Sequence, residues 1–168
     1  MWATSIQPPA RLVSTPFNCR SHSGVNAQNL WIGAEHKLAA NLAATLMAIE
    51  GVPDVPMFCQ NTAAFVHELP AGDLSNVDGE SGYVRVQVLT NAGALDRDKQ
   101  LAVVSQFTCM IADTDGDPAL AGRTWVLLTE VVPGGWGLWG HANTNDELIA
   151  AARKQIAELQ AKAAGPAS

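Results

Sequence analysis

Apolar residues recur at three- and four-residue spacing in three stretches of the chain, which places them on one face of a helix. In residues 34–50 the recurring positions are Leu38, Leu42, Thr45, Leu46 and Ile49, with Gly51 as a C-terminal cap and Pro53 just beyond. In residues 96–112 they are Leu101, Val104, Thr108 and Ile111, and the Asp96 carboxylate can accept from first-turn N–H groups. In residues 145–163 they are Leu148, Ala152, Ile156 and Leu159. The preceding Thr144-Asn145-Asp146-Glu147 has the capping-box pattern, which gives two orphan helix donors their acceptors.

Strand patterns alternate with these helices. Residues 63–69 form one. Residues 83–89 form a second, with Val84, Val86 and Val88 on one face and Arg85 and Gln87 on the other. Residues 124–132 are almost continuously apolar, which predicts a strand central in its sheet. A weaker strand is expected between residues 16 and 22, and residues 133–140 read as a turn or small hairpin. Residues 1–15, with Pro8-Pro9, read as a flexible N-terminal arm, and residues 164–168 as a tail.

The two halves repeat. Lys37 and Lys99, Ala40 and Ala102, Ile49 and Ile111, Glu68 and Glu130, and Gly72 and Gly134 each lie 62 residues apart. Helix then falls on helix and strand on strand, with repeats at about residues 16–75 and 82–140. One β-α-β unit alone leaves a sheet face and a helix stripe uncovered. Two units side by side predict an α+β fold: a four-stranded sheet with two helices on one face, plus a C-terminal helix. The second sheet face still needs cover, and self-association supplies it.

Composition narrows the function classes. A chain of 168 residues with 48% hydrophobic content is the size of one ordinary domain. A net charge of −6, with ten basic residues and no basic run, argues against nucleic acid, whose binding rests on Lys and Arg. Cys19, Cys59 and Cys109 are odd in number and have no CxxC spacing, which predicts free thiols in a reducing compartment. Cys19 and His22 supply half of a zinc site at most, so no metal is expected. The richest apolar run, residues 38–49, is broken by Asn41 and Thr45, too short for a membrane span. The first fifteen residues lack the apolar core of a secretory signal. A cytoplasmic location and no cofactor are the expectations.

The residues also carry a resemblance. VRVQVLTNAGALDRDKQ at 84–100, followed by GRTWVLLTEVVPGGWGLWGHANT at 122–144, resembles the 4-oxalocrotonate tautomerase pattern. That pattern is a strand, a short loop, a helix opening near a lysine, then a strand running into Glu and a Gly-aromatic-Gly hairpin. FVHELPAGD at 65–73 resembles double-length relatives of the cis-3-chloroacrylic acid dehalogenase group. The likeness to the tautomerase superfamily covers about residues 16–145 and implies a homotrimer. It also implies a free N-terminal prolyl amine that moves a proton between the carbon and oxygen of an enol.

Here Met1 is followed by Trp2, and the best match to the family's start is Pro16. As an internal residue its nitrogen is an amide, so the implied role requires release after Thr15 or a later start. Pro16 lies 21 residues before Lys37, whereas Val84 lies 15 before Lys99. Either the first half carries extra residues within 24–31, or Pro16 is not the equivalent position. Where 4-oxalocrotonate tautomerases carry arginine before the helix, this chain has Ile32 and Ala94; in the strand leading to Glu it has Ala63 and Trp125. The helical histidine of the dehalogenase group corresponds to Met47.

The expected catalytic residue is therefore Pro16, against the simpler reading of a strand-opening proline. Arg20, Arg85 and Arg123 are candidates to hold a carboxylate, against solvated surface arginines. Trp136 is a candidate pocket wall, against packing on a neighbouring subunit. His67 reads as a structural hydrogen-bonding residue and Cys19 as an inert thiol. Three readings follow: an isomerase of a small keto/enol carboxylate, a non-catalytic binding or assembly subunit of the same fold, and an unrelated two-layer α+β domain such as a dimeric ferredoxin-like barrel. The hairpin and the repeat spacing argue against the third.

Overall fold

A computed structural model describes residues 5–6, 31–70 and 72–164, with residues 5–6 and 31–34 described as backbone. Along the chain run β1 (Ser5–Ile6), α1 (Trp31–Glu50), the short α2 (Pro56–Cys59), β2 (Phe65–Val66), β3 (Val84–Asn91) and α3 (Arg97–Asp115). A 3-10 turn (Pro118–Arg123), β4 (Thr124–Val131), β5 (Trp136–Leu138), β6 (His141–Asn143) and α4 (Asn145–Ala163) complete it. The architecture is mixed α+β. The hydrogen-bonded strand order is β2-β1-β3-β4, with β5-β6 as a separate hairpin.

The second β-α-β unit is the more extensive. β3 and β4 run parallel in unbroken register from Val84 opposite Thr124 to Asn91 opposite Val131. Parallel strands need a crossover, and α3 provides it. The alternation read from the sequence appears in burial: Val84, Val86, Val88 and Thr90 are buried, while Arg85 is exposed. In the first unit β1 pairs parallel with β2 over two residues and antiparallel with β3 at Ser5 and Gln87. Residues 1–15 were expected to be a loose arm, yet they contain β1. The strand expected between residues 16 and 22 lies outside the described residues. The one expected at 63–69 is ordered as a strand only at Phe65–Val66.

α1 begins one turn earlier than expected, and its face is as read: Leu38, Leu42 and Leu46 are buried, and Ile49 packs beside them. α3 starts where expected but runs one turn past Ala112, to Asp115, and its face differs. The Asp96 side chain caps Lys99 N and Gly116 closes the helix at φ 77°, yet the buried row is Val103, Phe107 and Ile111. Leu101 and Val104 are 52% and 39% exposed. Two apolar rows compete on this helix, and the one carrying the large Phe107 ring removes more apolar surface from water. α1 and α3 pack on each other, and their buried residues join the inner face of β3 in one core.

β4 was expected to be central, but it lies at the end of the strand order. Its inner residues Val126 and Leu128 pack on the core, while Trp125 and Leu127 are 41% and 44% exposed. The continuous apolar run thus marks a strand with two apolar faces, only one of which is covered by other described residues. The repeat is visible in the backbone as well. Gly72 and Gly134 both adopt left-handed conformations, at φ 94° and 81°, where a Cβ is strained.

Candidate functional site

The hairpin after β4 builds one wall of a small cavity. A Cβ at Gly135 would lie 2.5 Å from Val131 Cγ1, so only glycine lets the chain fold back so closely behind β4. Asn143 then ties the hairpin together, its Nδ2 donating to the His141 and Trp136 carbonyls at 2.9 and 3.2 Å. Trp136 and Leu138 are thereby turned inward and buried. They face Met57 and Phe58 of α2 and Leu148 of α4. Asn61, Thr62 and Asn91 supply the polar part of the lining. The cavity encloses about 30 Å³, room for a water-sized guest.

Polar clasps hold these walls. Met57 N donates to Gln155 Oε1 at 2.8 Å, fastening α2 to α4. Asn145 Nδ2 donates to the Ala92 carbonyl at 2.9 Å, fixing α4 to the end of β3. Asn61 Nδ2 donates back to the Met57 carbonyl at 2.7 Å. Thr62 Oγ1 is buried in the lining and has no hydrogen-bond partner among the described residues. Buried hydroxyls are normally satisfied, which suits this position to a guest that donates or accepts one hydrogen bond.

The structure does not bring Arg85 or Arg123 to this cavity. Arg85 sits near the start of β3, exposed on the outer sheet face, and donates to Gln87 Oε1 at 3.2 Å. Arg123 closes the 3-10 turn, donating to the Gly82 carbonyl and to Asp117 Oδ2, each at 2.8 Å. It is a structural clasp at the start of β4. The cavity lies beside Asn91, six residues along β3 from Arg85, or roughly 20 Å at the rise of a strand. Trp136 is therefore a cavity wall, separated from Arg85 and Arg123 within one chain. Pro16, Arg20, Cys19 and His22 lie outside the described residues. His67 is exposed and stacks on Phe65 with ring centroids 6.3 Å apart. Among the described residues no group of His, Cys, Asp or Glu has the arrangement to hold a metal.

Sequence reasoning picked out Trp136 but missed Thr62, Asn91 and one further residue, Glu50. The Glu50 carboxyl is buried at the end of α1 without a hydrogen-bond partner among the described residues. Burial pushes its pKa up to about 8, against the pull of Lys99. At Cys59, the hydrogen bond from Sγ to Asp54 Oδ1 at 2.8 Å holds the thiol pKa above its usual range, away from nucleophilic use.

No family model matches the sequence, and neither does any curated protein. Solved structures do match. A fused 4-OT, solved as a wild-type asymmetric trimer, aligns at TM-score 0.58 and 15% identity over 83% of this chain and 94% of its own. A member of the cis-3-chloroacrylic acid dehalogenase family aligns at TM-score 0.60 and 16% identity over 94% of this chain and 98% of its own. A macrophage migration inhibitory factor-like protein from Entamoeba histolytica aligns at TM-score 0.53 and 13% identity, covering 82% of this chain and 94% of its own.

The chain has the tautomerase fold. Both ends of the likeness matter, because the tautomerase fold here accounts for nearly the whole of each neighbour as well as most of this chain. β1 precedes Pro16 in the chain. Among the described residues no helix is long and apolar enough to cross a membrane.

Proposed function

We propose that this protein is a binding or assembly subunit with the tautomerase fold, working as a homotrimer and without a prolyl base. The observation behind this reading is the position of β1. Ser5–Ile6 is hydrogen-bonded between β2 and β3, and Pro16 follows it in the chain. Release of a prolyl amine at Pro16 would remove β1 and leave β2 without its strand partner. The separation of Arg85 and Arg123 from the Trp136 cavity supports the same reading. The outer sheet face, with Phe65, Trp125 and Leu127 exposed, is the surface the homotrimer would cover. Fused 4-OT neighbours are themselves described as trimers.

The second reading is an isomerase of a small keto/enol carboxylate. It is favoured by the likeness to a fused 4-OT and to a member of the cis-3-chloroacrylic acid dehalogenase family. A freed Pro16 would be its base, Arg20, Arg85 or Arg123 of one protomer or its neighbour would hold the carboxylate, and Trp136 would be the apolar wall. One experiment separates the two. Ketonisation of phenylenolpyruvate is measured for the full-length chain, for a chain beginning at Pro16 and for Pro16→Ala in that shorter frame. The binding-subunit reading expects buffer-level rates from all three, with the shortened chains less stable to urea. A gain on shortening that Pro16→Ala abolishes would establish the isomerase instead.

A further inference from the structure

Glu50 is the last residue of α1 and is 8% exposed. Both carboxyl oxygens are closed off from water and have no hydrogen-bond partner among the described residues. A helix C-terminus disfavours a negative charge, because its last carbonyls already carry partial negative charge. The Lys99 ammonium, on the first turn of α3, donates at 2.9 Å to the backbone oxygen of Glu50 and not to its carboxyl group. Lys99 therefore caps α1. The repeat supplies an independent comparison. Sixty-two residues further on, the position of Glu50 is taken by Ala112, which is 1% exposed. Ala112 lies one turn before the end of α3, and packing at this position of the repeat is met there by a methyl group, without a carboxyl.

We propose that Glu50 is a proton-held clasp at the α1–α3 junction. Its carboxyl group is neutral in the folded protein. On ionisation the O–H bond breaks, the proton leaves to solvent, and the Lys99 ammonium moves from the Glu50 carbonyl to the new carboxylate. Among the described residues the group of opposite charge that reaches Glu50 is Lys99 from α3, and it favours ionisation. Burial outweighs that pull and lifts the pKa from 4.5 to about 8. The sign follows from this. Between those two values the folded chain holds one proton that the unfolded chain has lost. The contribution to stability is complete below pH 4.5 and is lost as pH rises through about 8.

Infrared difference spectra and urea unfolding of the full-length chain test this. At pH 7 the wild type should show the carbonyl band of a buried carboxylic acid that Glu50→Gln lacks, vanishing with a midpoint near 8. Lys99→Met should move that midpoint upward. The unfolding constant of the wild type relative to Glu50→Gln should rise about tenfold per pH unit across the window and then level off. Parallel stability profiles would overturn the proposal, as would a wild type without the acid band at pH 7. If Glu50→Gln does not fold, the wild-type band decides alone: a carboxylic acid titrating near 8 supports the clasp, and its absence overturns it.

Discussion

Phe107 shows how much one side chain contributes to this fold. It is fully buried between the helices and the sheet, so Phe107→Ala should cost about 3–5 kcal/mol of unfolding free energy, read from urea titrations. The helix caps act locally. Asp96 accepts from Lys99 N at 2.9 Å, and Thr144 accepts from Glu147 N while Glu147 returns a bond to Thr144 N. Asp96→Ala and Thr144→Ala should each cost about 1 kcal/mol. The backbone N–H of Thr144, then His141, holds the Glu147 carboxyl below its usual pKa. Its contribution is present above the ordinary carboxylate range and is lost as pH falls through the lowered value, so Glu147→Gln should flatten the acid limb of stability. Residues of this kind were legible because caps are local patterns of four residues. Thr62, Asn91 and Glu50 were not, because nothing near them in sequence records that distant elements close over them.

At the scale of elements, helices and long strands were readable and registers less so. α1 and β3 bury the faces their periodicity marks, and α4 does so at Leu148 and Ala152, with Ile156 half-buried, but not at Leu159, which is exposed. α3 does not, since Leu101 and Val104 make as regular a row as Val103 and Phe107, and only tertiary packing chooses between them. That choice can be measured. Leu101→Ala should stay within about 0.5 kcal/mol of wild type, while Val103→Ala should lose more than about 1 kcal/mol. The equilibrium urea midpoint is the readout, and the reverse order would restore the face read from the sequence. β1 escaped detection for another reason. Two paired residues are too few to show alternation, and the prolines at 8 and 9 pointed to irregular structure. The Trp136 cavity was half legible. The Gly-aromatic-Gly hairpin announced the tryptophan, whereas α2, which closes the opposite wall, is a single turn without a periodic signal.

Among the described residues one sheet face is left uncovered. Trp125, Leu127 and Phe65 stand on it, with the Tyr83 ring 4.9 Å from that of Trp125. If a homotrimer covers this face, Leu127→Lys should shift the sedimentation boundary from trimer toward monomer at micromolar concentration, because burying an unpaired ammonium is costly. An unchanged boundary would place the interface elsewhere. The two halves are also unequal in their ladders. β3 and β4 pair over eight residues, while β1 and β2 pair over two. A cooperative unit opens with a free energy set by what it buries, so the second half should close a tight subglobal unit and the first a looser one. Amide protons of Val86 and Val88 should then exchange with deuterium only through global opening, while those of Phe65 and Val66 exchange through a cheaper local one. The sequence repeat is a symmetry of pattern, and hydrogen exchange should find no matching symmetry in how long each half stays shut.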